Sequence, residues 1–160
     1  MRKTRFIVRG ALVAGLYIVL TIVTGELSFG LTVPGLGVVQ FRPAEALVVL
    51  PVLYPETIWG LYLGCLAANL LGGLGPWDVF GGSAVTFLAA YLTWRLRRTR
   101  WYALPPIVLN GFLISLYLRF IFKLPYWATA LGIMVSEAVV VVVLGVPLVA
   151  ALKRLEANRW

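Results

Sequence analysis

The sequence contains no histidine and a single cysteine, Cys65, among its 160 residues. The chain therefore lacks the commonest general base and the usual zinc ligand, and it cannot form an internal disulfide or a cysteine-rich metal site. The dipeptide Gly-Lys does not occur, which excludes a Walker A loop for binding ATP. We expect a protein that is not an enzyme and that needs no cofactor or metal.

Charged residues are also scarce, at 12% of the chain, whereas hydrophobic residues make up 61% and the mean hydropathy is +0.94. This composition is typical of an integral membrane protein and not of a soluble domain. The net charge of +8 comes from short clusters of Lys and Arg between apolar runs. Clusters placed in this way indicate membrane topology, so we expect the lipid bilayer, and no nucleic acid, as a partner.

Six continuous apolar segments predict six transmembrane helices, because a β-barrel would need alternating apolar and polar residues. The approximate helices are 7–25, 42–54, 57–73, 78–96, 104–122 and 127–152. The second segment is shorter than the roughly 20 residues that cross the hydrocarbon unaided. The first segment could instead be a signal peptide, but it lacks a convincing small-x-small cleavage site.

Three basic regions predict the orientation of these helices. They are the first ten residues, a run of four arginines in 95–100, and a C-terminus that contains Lys153, Arg154 and Arg159. Cytoplasmic loops carry an excess of Lys and Arg, and six spans place all three regions on that side. The sequence therefore predicts an all-α integral membrane protein, in which residues 1–160 form one six-transmembrane-helix domain with both termini cytoplasmic.

Residues 26–40 connect the first two predicted helices and contain Gly30, Pro34, Gly35 and Gly37. Glycine and proline at this density break a helix. Fifteen residues is a long connection for a compact bundle, and its many apolar residues argue against disorder. We interpret the segment as an ordered outer loop that acts as a lid.

Arg42 and Glu45 open the second segment on either side of Pro43, a residue favoured at the first position of a helix. Their spacing places the two charges on nearly the same face, at the border of the hydrocarbon. Ionisable groups at membrane depth are costly and usually line a binding site or a watered cavity. The alternative is a structural ion pair that pins this helix to a neighbour.

Further polar residues fall at the same outer level once the topology is applied, with Glu137 deeper as the floor of a cavity. The candidate binding residues are Gln40, Arg42, Glu45, Asn69, Asp78, Arg119 and Glu137. Asp78 could instead cap its helix, and we expect Asn110, which lies nearer the inside, to serve helix packing. Together with the rim aromatics Phe41, Trp77, Tyr126 and Trp127, which are also typical of any membrane interface, these residues suit a flat polar solute.

The first helix carries a face of small residues, formed by Gly10, Ala11, Ala14 and Gly15. The small-xxx-small spacing lets helices approach closely in lipid. We expect this face to contact another helix, either within this chain or in a partner subunit.

The stretches 40–47, 64–73 and 77–83, together with Leu50-Pro51, resemble the QueT family of queuosine-precursor transporters. The resemblance covers residues 40–90, and the rest of the chain is similar only in hydropathy and length. It implies an S-component, the substrate-binding subunit of an energy-coupling factor (ECF) importer in the plasma membrane. Such a subunit is a six-helix bundle that holds a 7-deazaguanine near the outer face, and its partners are a transmembrane coupling subunit and two ATPase subunits.

The resemblance also implies roles for particular residues. Arg42, Glu45, Asn69 and Asp78 stand at motif positions and become candidates for binding the substrate. The small face of the first helix is similar to the Ala-xxx-Ala type of face that meets the coupling subunit in related S-components. Three other hypotheses stay open: an S-component for riboflavin or thiamine, a membrane enzyme that uses a carboxylate as acid or base, and a structural subunit without a ligand.

Overall fold

A computed structural model describes residues 2–33 and 37–158, so Arg159 and the Pro34-Gly35-Leu36 stretch of the predicted lid lie outside the described residues. The α-helices are α1 (Arg2–Thr24), α2 (Glu26–Phe29), α3 (Thr57–Leu71), α4 (Ser83–Arg95), α5 (Leu104–Leu109), α6 (Ser115–Phe122), α7 (Tyr126–Val139) and α8 (Val146–Ala157). A 3₁₀ helix covers Pro43–Val52, and three π-helical segments cover Trp77–Gly82, Asn110–Ile114 and Val140–Gly145. Two short strands, β1 (Leu31–Val33) and β2 (Gly37–Val39), complete the described elements.

In the part of the chain that the structure describes, three continuous helices are long and apolar enough to cross a membrane, namely Lys3–Thr24, Leu104–Phe122 and Tyr126–Ala157. The second and third of these continue through π-helical segments without a break. The helical membrane character that the composition predicts is therefore confirmed. The structure also has shorter apolar helices at Pro43–Val52 and Thr57–Leu71.

The 3₁₀ helix Pro43–Val52 lies at the centre of the bundle. All of its residues from Ala44 to Val52 are buried, and it packs against α1, α4, α8 and the Val140–Gly145 segment. A helix that is apolar all round is expected to be enclosed by its neighbours. The 3₁₀ geometry rises about 2.0 Å per residue, compared with 1.5 Å in an α-helix, so ten residues extend about 20 Å. The longer rise compensates in part for the small number of residues in this segment, which is fewer than an α-helix needs to cross the hydrocarbon.

The segment predicted as an ordered outer loop, 26–40, contains regular secondary structure in its described residues. One turn of helix, α2, is followed by the antiparallel pair β1–β2, in which Leu31 lies opposite Val39 and Val33 opposite Gly37. The β-branched residues of both strands favour this pairing. Gly30 adopts a φ of 104° where the chain leaves α2, a backbone conformation that glycine adopts without steric cost. The fold therefore contains a small β-hairpin beside its helices, and β2 packs on α7.

Helices α1 and α3 pack closely through small residues. A Cβ atom added at Gly60 would lie 2.3 Å from the carbonyl oxygen of Gly10, and one added at Gly64 would lie 3.0 Å from Ala14. Two of the four small residues of α1 therefore contact a helix of this chain. The other two, Ala11 and Gly15, are exposed.

Several polar contacts join elements at one end of the bundle. Arg9 forms an ion pair with Glu56 at 2.7 Å and lies over the ring of Tyr54 at 4.3 Å. The hydroxyl of Tyr54 in turn donates to Glu156 Oε1 at 2.6 Å. The start of α1, the connection before α3 and the end of α8 therefore meet at the same end.

Candidate functional site

A small polar cavity lies between the 3₁₀ helix, α3, α7 and the first two π-helical segments. Its lining residues are Gln40, Arg42, Glu45, Asn69, Asp78, Gly82, Thr86, Asn110, Ile114, Tyr117 and Glu137. The cavity volume is about 10 Å³, which is roughly the room for one water molecule. A larger ligand therefore requires some of these walls to move apart.

Glu45 is held at the centre of the cavity wall by two donors. It is only 2% exposed, and its Oε1 accepts a short hydrogen bond from the hydroxyl of Tyr17 on α1. Its Oε2 accepts a longer bond, 3.5 Å, from Nδ2 of Asn110. A carboxylate accepts about four hydrogen bonds, so Glu45 keeps capacity for further donors.

Arg42 does not pair with Glu45. Its Nε donates to the carbonyl oxygen of Ser28 at 3.1 Å, and its Nη1 lies 3.8 Å from Cys65 Sγ. Within residues 2–33 and 37–158 the only ion pair joins Arg9 and Glu56. Among the described residues, neither Arg42 nor Glu45 forms the ion pair with a neighbouring helix that the alternative requires, and their hydrogen bonds there are to neutral groups.

Gln40 and Arg42 tie the cavity to the turn that follows α1. Nε2 of Gln40 donates at 2.8 Å to the same Ser28 carbonyl oxygen that accepts from Arg42. Ser28 itself is buried and lies in α2, at the base of the β-hairpin. The segment interpreted as a lid is thus connected directly to two residues that line the cavity.

Asn69 and Asp78 come from the end of α3 and the start of the next helical stretch. Nδ2 of Asn69 donates to the backbone carbonyl of Asp78 at 2.7 Å and lies 3.5 Å from Cys65 Sγ. The carboxylate of Asp78 accepts from the hydroxyl of Tyr117 at 2.6 Å. Asp78 lies in the first turn of the π-helical segment, near the positive end of the helix dipole, but its side-chain bond joins it to Tyr117 and not to a backbone N–H of that turn.

Two acceptors in the cavity wall have no partner among the described residues. They are Oδ1 of Asn69 and Oε2 of Glu137, and both residues are at most 3% exposed. Buried polar atoms are nearly always hydrogen-bonded, and each exception needs an explanation. A bound solute that donates hydrogen bonds to these two oxygens would explain why they have no partner in the described part of the protein.

The structure does not bring every predicted residue to the cavity. Arg119 is exposed and lines a separate groove with Leu116, Phe120, Tyr126 and Trp127. Among the four aromatic residues predicted at the rim, none lines the cavity. The small residues Gly10, Ala11 and Ala14 line a third site, an apolar groove of about 240 Å³ beside Trp59 and Leu63.

Five residues that line the cavity were not predicted from the sequence as site residues, namely Gly82, Thr86, Asn110, Ile114 and Tyr117, and neither was Tyr17, which donates to the lining residue Glu45. We expected Asn110 to serve helix packing, and it does join two helices through its bond to Glu45, but it also lines the cavity. A signal was present for two of them. Asn110 and Tyr117 are seven residues apart, a spacing that places both on one helix face.

The π-helical segments lie at the cavity. Asp78 and Gly82 belong to the first and Asn110 and Ile114 to the second, while Glu137 lies just before the third. Segments of this kind are rare and occur often at functional sites. Within the described residues, no three Cys, Asp or Glu side chains group as metal ligands. The arrangement is suited to binding a neutral or cationic polar solute by hydrogen bonds.

A protein-family model described as QueT transporter matches residues 7–154, which is nearly the whole chain. Neither the curated proteins nor the solved structures contain a match to the chain.

Proposed function

Since this chain belongs to the QueT transporter family, we propose that it is the substrate-binding S-component of an ECF importer and that its cavity binds a queuosine precursor, a 7-deazaguanine. The observation that carries this proposal is the small polar cavity, inside a helical membrane protein, with acceptors left free at Asn69 and Glu137. Ionisable residues at membrane depth mark substrate pathways by default.

The hydrogen-bonding groups of the cavity suit the edge of a deazaguanine. Such an edge offers several N–H donors beside one carbonyl acceptor. The free oxygen of Asn69 and the remaining lone pairs of Glu45 can accept from the donors. Arg42 keeps guanidinium N–H groups beyond the two that bond Ser28 and Cys65, and one of these can donate to the carbonyl.

In our proposal the solute is taken up from outside the cell, across the plasma membrane. Six helical stretches cross the membrane and both termini are cytoplasmic. The contacts of Arg9, Glu56 and Glu156 support this orientation, since they join the basic start and the basic end of the chain. The cavity residues Asn69 and Asp78 lie at the opposite ends of their helices, which are then the outer ends.

The 26–40 segment opens and closes the cavity in this account. The cavity as it stands has room for about one water molecule, so a bicyclic ligand needs a larger space. Gln40 and Arg42 are both held by the Ser28 carbonyl oxygen. Movement of α2 and the β-hairpin away from the bundle would release both side chains together and widen the cavity.

The coupling subunit docks on α1 in this proposal, and the ATPase subunits supply the energy. The apolar groove at Gly10, Ala11 and Ala14 supports this assignment, because small residues let a second helix approach closely. Ala11→Trp would fill the groove, whereas Leu12→Trp changes the neighbouring residue, which is 67% exposed and does not line it. We expect the first variant to abolish uptake while it leaves ligand binding unchanged, and the second to leave both uptake and ligand binding unchanged. Equal uptake by both variants would contradict the docking site.

The experiment that tests the proposed function is a calorimetric titration of the detergent-purified chain. The ligands are queuine, the aminomethyl and nitrile deazaguanines, riboflavin and thiamine, with guanine as a control. We expect one-to-one binding of a deazaguanine and no heat from the two vitamins. Binding of riboflavin or thiamine alone would instead identify a vitamin S-component. Absence of any binding by folded protein would favour a structural subunit.

A further inference from the structure

We propose that Glu137 forms an ammonium-binding subsite in the cavity, so that the protein selects a solute carrying a protonated amine over a neutral solute of the same shape. This inference rests on the proposed function, because it concerns which deazaguanine the cavity accepts. Its starting point is the free oxygen of a carboxylate that is only 3% exposed.

The formal charge of the cavity wall is negative. Three carboxylates, Glu45, Asp78 and Glu137, stand against one guanidinium, Arg42, which gives a net charge of minus two when all are ionised. Arg42 forms no ion pair with any of them, since the only ion pair among the described residues is Arg9–Glu56. Among the described residues, the wall therefore carries more carboxylates than cations.

The three carboxylates differ in their partners. Glu45 accepts from Tyr17 and Asn110, and Asp78 accepts from Tyr117. Oε2 of Glu137 has no partner among the described residues. An ionised carboxylate buried without a partner is unfavourable, and a cation placed against it removes much of that cost. Glu137 is thus the carboxylate best placed to receive a cation.

The buried polar atoms of the cavity wall that lack a hydrogen-bond partner among the described residues are also all of one kind. Both buried atoms without partners that line the cavity, on Asn69 and Glu137, are acceptors. A protonated primary amine brings three N–H donors and a positive charge, whereas a nitrile brings only a weak acceptor. The amine supplies the hydrogen-bond donors that the wall lacks, whereas the nitrile adds an acceptor to a wall that already has free acceptors.

A wild-type experiment tests this inference without any variant. The folded chain is titrated with the aminomethyl deazaguanine and with its hydroxymethyl analogue, which has nearly the same size but no charge. We expect the amine to bind at least about tenfold more tightly, as a charge-assisted hydrogen bond in a desolvated site would give. Equal affinity, or tighter binding of the hydroxymethyl or nitrile compound, would overturn the ammonium subsite.

A variant then assigns the preference to one residue. Glu137→Gln keeps the shape of the side chain and removes its charge, and Glu156→Gln is the control because Glu156 lies at the opposite end, outside the cavity. We expect Glu137→Gln to bring the ratio of amine to hydroxymethyl affinity close to one and Glu156→Gln to leave it unchanged. An unchanged ratio in folded Glu137→Gln would overturn the assignment. Failure of every deazaguanine to bind would overturn the proposed function as well, whereas binding without preference would overturn only the subsite.

Discussion

The hydrogen bond from Tyr17 to Glu45 links α1 to the central 3₁₀ helix, and its removal should destabilise the protein. Tyr17 is 0% exposed and Glu45 is 2% exposed, so water cannot replace a missing donor without a rearrangement. Tyr17→Phe leaves Glu45 Oε1 without its donor, and an unsatisfied buried acceptor costs about 1–3 kcal/mol. For a chain of this size that corresponds to a fall in Tm of about 2–12 °C.

Thermal unfolding of the detergent-purified variants measures this effect. Tyr91→Phe is the matched control, because the Tyr91 side chain is 38% exposed on α4. In a Glu45→Leu background the acceptor is already absent, so Tyr17→Phe should cost at least about 1 kcal/mol less than it does alone. The reasoning is refuted if Tyr17→Phe and Tyr91→Phe unfold at the same temperature, or if the Tyr17 and Glu45 effects simply add.

Two further predictions concern packing and topology. Gly60→Ala should lower stability by about 1–3 kcal/mol in thermal unfolding, because the added methyl meets the backbone of α1. Gly15→Ala is the control and should not lower stability, because nothing lies within 4 Å of its new methyl. An equal loss of stability in both variants would show that the close approach of α1 and α3 is unimportant. On intact cells a membrane-impermeant maleimide should label Gly75→Cys but not Thr99→Cys, which lies in the arginine run. The reverse pattern would invert the proposed orientation.

Part of the site could be predicted from the sequence because membrane depth orders polar residues along each helix. Arg42, Asn69 and Asp78 stand at helix ends that a six-span topology brings to one level, and the structure places all three in the cavity. Depth fixes the level of a residue but not the direction in which its side chain points. Arg119 shows the difference, since it follows Tyr117 by two residues and so lies about 200° around α6 from it, away from the cavity.

Other features left no clear signal in the sequence. Tyr17 lies in the middle of an apolar run, and only the packing of α1 against the 3₁₀ helix shows that its hydroxyl reaches Glu45. The π-helical segments shift the phase of a helix by local backbone geometry, which a regular period of 3.6 residues cannot reproduce. The strands of the β-hairpin are three residues each, too short for an alternating pattern to be recognised. Family membership was predictable, because several motif residues follow one another in order within residues 40–90, and the family model confirms it.

The most direct test of the central claim is the affinity of the purified chain for its preferred deazaguanine before and after Glu45→Gln. Glu45 is the carboxylate at the centre of the cavity wall, and Glu156→Gln is the control outside it. We predict that Glu45→Gln weakens binding by at least about 1.5 kcal/mol, or more than tenfold in Kd, and that Glu156→Gln leaves Kd unchanged. An unchanged Kd for folded Glu45→Gln would remove Glu45 from the binding site and contradict the account of the cavity.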